Sequence, residues 1–406
     1  MRIKTRLSLF LLAGAAYSLL VSCTPPKEIG SFSPAIAYDT INERYLVVSV
    51  KVKSEETDRS RIDGMFIDIA GSPVGSEFTI SEDGGEYYCP SVVYDDAQDR
   101  FLVVWNGASS VFGQFVNSDG TLNGPRITLT ETANSPCGRC SSVAYNSVQG
   151  TFLAAWGEKN PSQHDNIYAQ LIAADGSLDG PKLALSADGA YPAFPSAAYD
   201  SINQRFFTVW DSADHHGIKG RMINPDGTFV AKDFFLYSDT GVQYWPTVSY
   251  DSVNTRFLVS WEHSDTNTFA LLGQLVNADG TLYQPFFTIS QAGLDVSYHA
   301  SVYDGADKKY FLLFGDFANN ERVYGQAVTA DGALDTTVSP GNIQLSYADY
   351  PGDRRPAVAL DSINHRFFGA WNYDGEQAFC DIHGRLIHGD GTPAGPIGII
   401  SNGGVW

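Results

Sequence analysis

The sequence PTVSYDSVNTRFLVSW at residues 246–261 decides the fold. It reads as a short strand of small and β-branched residues, a polar turn, and a strongly apolar second strand ending in tryptophan. The chain writes this unit seven times. Its anchor tyrosine falls at Tyr38, Tyr94, Tyr145, Tyr199, Tyr250 and Tyr303, with Leu360 in the seventh copy. The intervals are 56, 51, 54, 51, 53 and 57 residues. Eleven places after each anchor stands Ser49, Trp105, Trp156, Trp210, Trp261, Phe314 or Trp371. A fixed spacing inside each copy and a drifting one between copies mark a rigid hairpin joined by variable loops.

Each copy divides into four strands, A to D. In the second copy these are residues 91–94, 100–105, 111–117 and 126–130. The turn before strand D carries Asp119-Gly120, and the pair recurs at Asp175-Gly176, Asp226-Gly227, Asp279-Gly280, Asp331-Gly332 and Asp390-Gly391. Only the first copy differs, with Ala70-Gly71. Asp-Gly suits a tight hairpin because both residues tolerate positive φ. Strand B is the most continuously apolar, as a strand buried on both faces should be. No stretch beyond the N-terminus carries a sustained helical period.

Repetition at about fifty residues is the signature of a propeller or solenoid. Seven four-stranded antiparallel units resemble a seven-bladed β-propeller, an all-β fold in which each blade covers its neighbours' apolar faces. The expected propeller spans residues 33–404, with blades at 33–88, 89–139, 140–193, 194–244, 245–297, 298–354 and 355–404. Residues 405–406 are a candidate clasp, in a ring that closes without a shared blade. A six-bladed ring with one degenerate unit, or a linear solenoid, is the alternative. The Trp-Asp ending of WD40 repeats and the Gly-Gly pair of kelch repeats are absent, and the Asp-Gly turns lack the spacing of a sialidase Asp-box.

The N-terminus reads as an export signal. Residues 1–22 combine Arg2, Lys4 and Arg6 with a mainly apolar run from Leu7 to Leu20, too short for a membrane span. Leu20-Val21-Ser22-Cys23 resembles the lipobox of bacterial lipoproteins. The resemblance implies cleavage after Ser22, lipidation of Cys23, and a tether over residues 23–32 that holds the domain close to a membrane. Thr24 after the cysteine implies, by the same resemblance, the outer membrane or cell surface. Net charge is −20, and becomes −23 without residues 1–22 and their three basic residues. So acidic a surface repels phosphate backbones and excludes nucleic acid as a partner.

Residues that repeat from copy to copy, as the tryptophans do in five of seven, serve packing, and those that differ serve function. The tryptophans closing strand B are therefore core. Pairs such as Asp39/Arg44, Asp95/Arg100, Asp200/Arg205, Asp251/Arg256 and Asp361/Arg366 close hairpins, as partly exposed ion pairs of small individual worth. The residues just before strand A should ring the channel mouth: Tyr88, Arg139, Phe194, Tyr244, Trp245, Tyr298, His299, Arg354 and Arg355. Aromatics and arginines on a concave rim stack on sugars or peptides and grip carboxylates. The bland alternative is an aromatic plug, with the arginines paired to Asp349 and Asp353. An arginine-rich mouth is also similar to that of sialidases, which implies a carbohydrate-active hydrolase or lyase; no spacing here enforces those roles.

Asp211, Asp214, His215 and His216 crowd one loop and could hold a transition metal, although they match no ligand template. Acidic loops of this kind could also hold calcium, but no cofactor is expected. In an exported protein, Cys89 with Cys137 or Cys140 would staple two blades, and Cys137 with Cys140 is the local alternative. The sequence thus predicts a non-enzymatic, lipid-anchored propeller presenting its rim to a glycan, peptide or protein. The competing readings are the hydrolase and a purely structural envelope component.

Overall fold

A computed structural model describes residues 29–54, 57–82, 85–131, 140–159, 165–186, 193–212, 215–265, 269–317, 321–337, 339, 341–347, 353–374 and 379–401. They contain 28 strands and no α-helix. The fold is a seven-bladed β-propeller of four-stranded antiparallel blades, each built from four consecutive strands. Blade 1 comprises β1 (Ile29–Asp39), β2 (Arg44–Ser54), β3 (Thr57–Asp68) and β4 (Pro73–Thr79). Blade 7 comprises β25 (Asp353–Asp361), β26 (Arg366–Asp374), β27 (Phe379–His388) and β28 (Gly398–Ser401).

The hydrophobic core is divided among seven clusters, one for each interface between blades. Strand B explains this division. In Arg205–Asp211 of blade 4, Phe206 and Trp210 turn toward blade 3, whereas Phe207 and Val209 turn toward blade 5. The two-residue period of a strand sends alternate side chains to opposite faces. A strand with a core on both sides must then be apolar throughout. Trp105, Trp156, Trp210, Trp261 and Trp371 are fully buried, which makes them core, as their repetition indicated.

The Asp/Arg pairs differ from expectation. Asp39, Asp95, Asp200, Asp251 and Asp361 are buried, not partly exposed. Asp39 Oδ1 accepts the N–H groups of Ile41 and Asn42 at 3.0 and 2.8 Å, and Oδ2 accepts from Asn42 Nδ2 at 2.9 Å. The carboxylate is therefore first a cap for the A–B turn. Arg100 lies 3.0 Å from Asp95 and also donates to the Ala174 carbonyl of blade 3, while Arg44 reaches the Ser118 carbonyl of blade 2. The pair links blades as well as closing its hairpin.

Each end blade keeps its own four strands, and the start of β1 bridges the seam between them. Ile29 and Gly30 pair in parallel with Phe379 and Cys380, and Ser31 shares a hydrogen bond with Ser401 at 2.6 Å. Strand pairing thus begins inside the segment read as tether. Cys23, Cys137, Arg139, Asp214, Asp349 and the 405–406 clasp lie outside the described residues.

Candidate functional site

The rim is built by one recurring irregularity. In six blades the first two strands slip register between residues 32 and 35, 88 and 91, 193 and 196, 244 and 247, 297 and 299, and 354 and 357. The extra residue of each bulge adopts left-handed backbone: Ser33 (φ 51°), Cys89 (46°), Phe194 (50°), Trp245 (44°), Tyr298 (44°) and Arg355 (49°). Non-glycine residues hold such angles only where the surroundings enforce them, at roughly 1–3 kcal/mol each. Proline follows at Pro34, Pro90, Pro195, Pro246 and Pro356, which removes an N–H that the bulge would leave unpaired.

These residues stand five places before each anchor and touch from blade to blade. The Cys89–Cys140 disulfide joins blades 2 and 3, with Cα atoms 5.1 Å apart. Phe194 and Trp245 meet with ring centroids 5.1 Å apart, and Trp245 and Tyr298 at 4.6 Å. The Arg355 guanidinium lies over the Tyr298 ring at 4.7 Å and donates to Ser33 Oγ at 2.8 Å. Tyr244 extends the aromatic surface, 5.7 Å from Trp245 and 4.9 Å from His215. Phe317 extends it on the other side, 6.4 Å from Tyr298. Phe194, Tyr244, Trp245 and Tyr298 are all half-buried, so each keeps an accessible face. The result is a contiguous aromatic platform over blades 4 to 6, bounded by Arg355.

Arg354 is committed elsewhere. Its Nη2 lies 2.9 and 2.8 Å from the two carboxylate oxygens of Glu321, a partner the sequence reading did not name. Arg354 and Arg355 therefore do not converge on one anion. Tyr88, half-buried, sits beside the disulfide in blade 2 and outside the platform.

His299 is not a rim residue. Counting five back from Tyr303 gives Tyr298, so His299 holds the position of the prolines, and its side chain is fully buried. Neither ring nitrogen makes a hydrogen bond of normal geometry; Glu262 Oε1 lies 3.9 Å from Nδ1. Desolvation pushes the imidazole down to about 4 and holds Glu262 well above the usual carboxylate range. The imidazole is therefore neutral at pH 7, and burial favours the protonated form of Glu262. Glu262 accepts the Tyr298 backbone N–H, as Asn372, at the same place in blade 7, accepts that of Ser33 at 2.9 Å. In these two blades this position fastens the next blade's rim residue to the blade before it.

The described residues of the histidine loop have hydrogen-bond partners of their own. Asp211 accepts the Ala193 N–H and meets His215 Nδ1 at 2.9 Å, whereas His216 Nδ1 turns to the Gly241 carbonyl at 2.9 Å. Among the described residues, no group of three or more His, Cys, Asp or Glu is placed to hold a metal ion. The sequence reading missed Phe317 and the stacking of His215. Its one-place error at His299 was detectable, because Pro follows the rim residue in five copies.

No protein-family model matches the chain, and no curated protein matches its sequence. Solved structures do. Hydrazine synthase of Kuenenia stuttgartiensis superposes with TM-score 0.57 at 11% identity, covering 92% of this chain and 98% of that one. Sqt1 from Chaetomium thermophilum gives TM-score 0.48 at 12% identity, covering 92% and 86%. At such identities the likeness is one of fold alone.

Proposed function

We propose that the protein is an exported, lipid-anchored binding propeller that captures a glycan on the aromatic platform of its rim. One observation carries this reading: the platform breaks the symmetry of the ring. The same bulge position holds Phe194, Trp245 and Tyr298 in blades 4 to 6, but serine or disulfide cysteine in blades 1 to 3. Packing alone repeats in every blade, whereas a ligand site does not. Half-exposed rings in mutual contact offer the flat apolar faces on which sugar rings stack, and Arg355 adds a cation at the edge. With the two arginine head groups engaged separately and the Glu262–His299 pair sealed from solvent, the reading is binding rather than hydrolysis.

Because β1 enters from the rim end, a lipidated Cys23 lies six residues before Ile29, a reach of about 20 Å. The platform then faces the membrane to which the protein is tethered. A glycan array probed with wild-type protein and with Trp245→Ala and Tyr298→Ala variants tests the site. Loss of a bound glycan in both variants, with melting temperatures nearly unchanged, is the expected result. Variants that unfold, or a wild type that captures no glycan, overturn it. Acyl labelling that survives Cys23→Ala would remove the anchor.

A further inference from the structure

The end of the ring opposite the rim carries a second pattern, independent of the glycan reading. Three residues after each anchor stand Ile41, Val148, Ile202, Val253 and Ile363, with Ala97 and Ala306 in the other two blades. The five large side chains are between 46% and 60% exposed. The turn itself does not require them. Its geometry is fixed by the Asp cap, by Asn42, Asn203, Asn254 and Asn364 on that cap, and by a left-handed residue such as Glu43 or Thr255. Polar residues are the usual occupants of such exposed turns.

Neighbouring turns adjoin. Asn42 of blade 1 donates to Asp99 of blade 2 at 3.0 Å, and a Cβ on Gly305 of blade 6 would lie 3.8 Å from Val253 of blade 5. Strand A is the innermost strand, so these turns form an aliphatic annulus around the channel exit.

The C–D turns lie at the same end, farther from the axis. Asp119, Asp226, Asp279 and Asp390 are each bound by the Thr hydroxyl and N–H two residues on. Those bonds hold the carboxyls below the usual range, so the outer ring stays anionic. This decides the occupant. Two copies stacked end to end would oppose their acidic rings, and an anionic lipid surface would be repelled in the same way. A cationic partner is attracted by the outer ring and meets apolar surface inside it.

We propose that this face docks a cationic amphipathic protein segment, with apolar side chains on the aliphatic annulus and Lys or Arg over the aspartate turns. The probe is a labelled helical Leu/Lys peptide, compared with an all-Lys peptide, titrated into the full chain by fluorescence anisotropy. Binding should fall at least tenfold in the Ile41→Ser/Ile202→Ser/Ile363→Ser variant and in the Asp226→Asn/Asp279→Asn/Asp390→Asn variant. Trp245→Ala, at the opposite end, should leave it unchanged. If the triple serine variant misfolds, Ile202→Ser alone should still weaken binding measurably. Equal binding of the all-Lys peptide, or no effect of the serine changes, overturns the proposal. So does a dimer in sedimentation that the serine changes dissociate, which would make a second copy the occupant.

Discussion

Tyr145 of blade 3 donates its hydroxyl to the buried carboxylate of Asp95 in blade 2 at 2.8 Å. Tyr250 makes the same bond to Asp200 across the next interface but one. The anchor tyrosine of one blade thus completes the turn cap of the preceding blade. At these two interfaces packing and turn geometry become a single interaction.

Removing that hydroxyl should weaken an interface without opening a cavity. Tyr145→Phe and Tyr250→Phe should each cost about 1–2 kcal/mol in urea unfolding, because a buried carboxylate loses a donor. Tyr199 provides the control. Its hydroxyl has no partner, and Asn146 stands where the other blades have aspartate. Tyr199→Phe should therefore be close to neutral.

The same tyrosines set an alkaline limit. Burial, and then the neighbouring aspartate, raise Tyr38, Tyr145, Tyr250 and Tyr303 above the ordinary phenol value of 10.0. A group raised in the folded state contributes its stability fully below the unfolded value and loses it as pH climbs beyond. The urea midpoint should fall as pH rises above about 10. A urea midpoint unchanged between pH 9 and pH 11 would contradict this.

Glu262 gives a pH dependence at the acid side. Burial favours its protonated form in the fold, whereas the unfolded chain ionises it above 4.5. The native state therefore loses stability relative to the unfolded one as pH rises through that value. Glu262→Gln, which retains an acceptor for the Tyr298 N–H, should raise the urea midpoint at pH 8 and leave it unchanged at pH 4. An equal effect at both pH values would indicate a change in packing instead.

The Cys89–Cys140 disulfide closes a loop with a sequence separation of 51. Loop-closure entropy for that length corresponds to about 4 kcal/mol as an upper figure, with about 2–4 expected in practice. The Cys89→Ser/Cys140→Ser variant should lose that much in denaturant unfolding. Non-reducing peptide maps should show Cys89 joined to Cys140 and not to Cys137.

The architecture was legible in the sequence because spacing carries it. An anchor, a turn and a tryptophan at fixed distances need no knowledge of neighbours. The disulfide remained open between partners because only the arrangement of blades places Cys140 opposite Cys89. His299 was misplaced because the bulge is a backbone event and copy six lacks the proline that marks it. The pairing of Arg354 with Glu321 was not legible, since Arg354 lies in β25 of blade 7 and Glu321 comes from blade 6. The aliphatic residues of five A–B turns stand in the sequence, but their meaning lies in exposure, which a repeat pattern does not report.

The seam between Ser31 and Ser401 has a further consequence, for how such a molecule can grow. The four strands of every blade are consecutive in the chain, although the first residues of β1 also bond to blade 7, so each blade corresponds to one uninterrupted stretch of sequence. Duplicating or deleting one such stretch adds or removes a whole blade, and the ring can be begun at any of its boundaries with the order of blades intact. Inheritance, like folding, can treat the blade as the indivisible part.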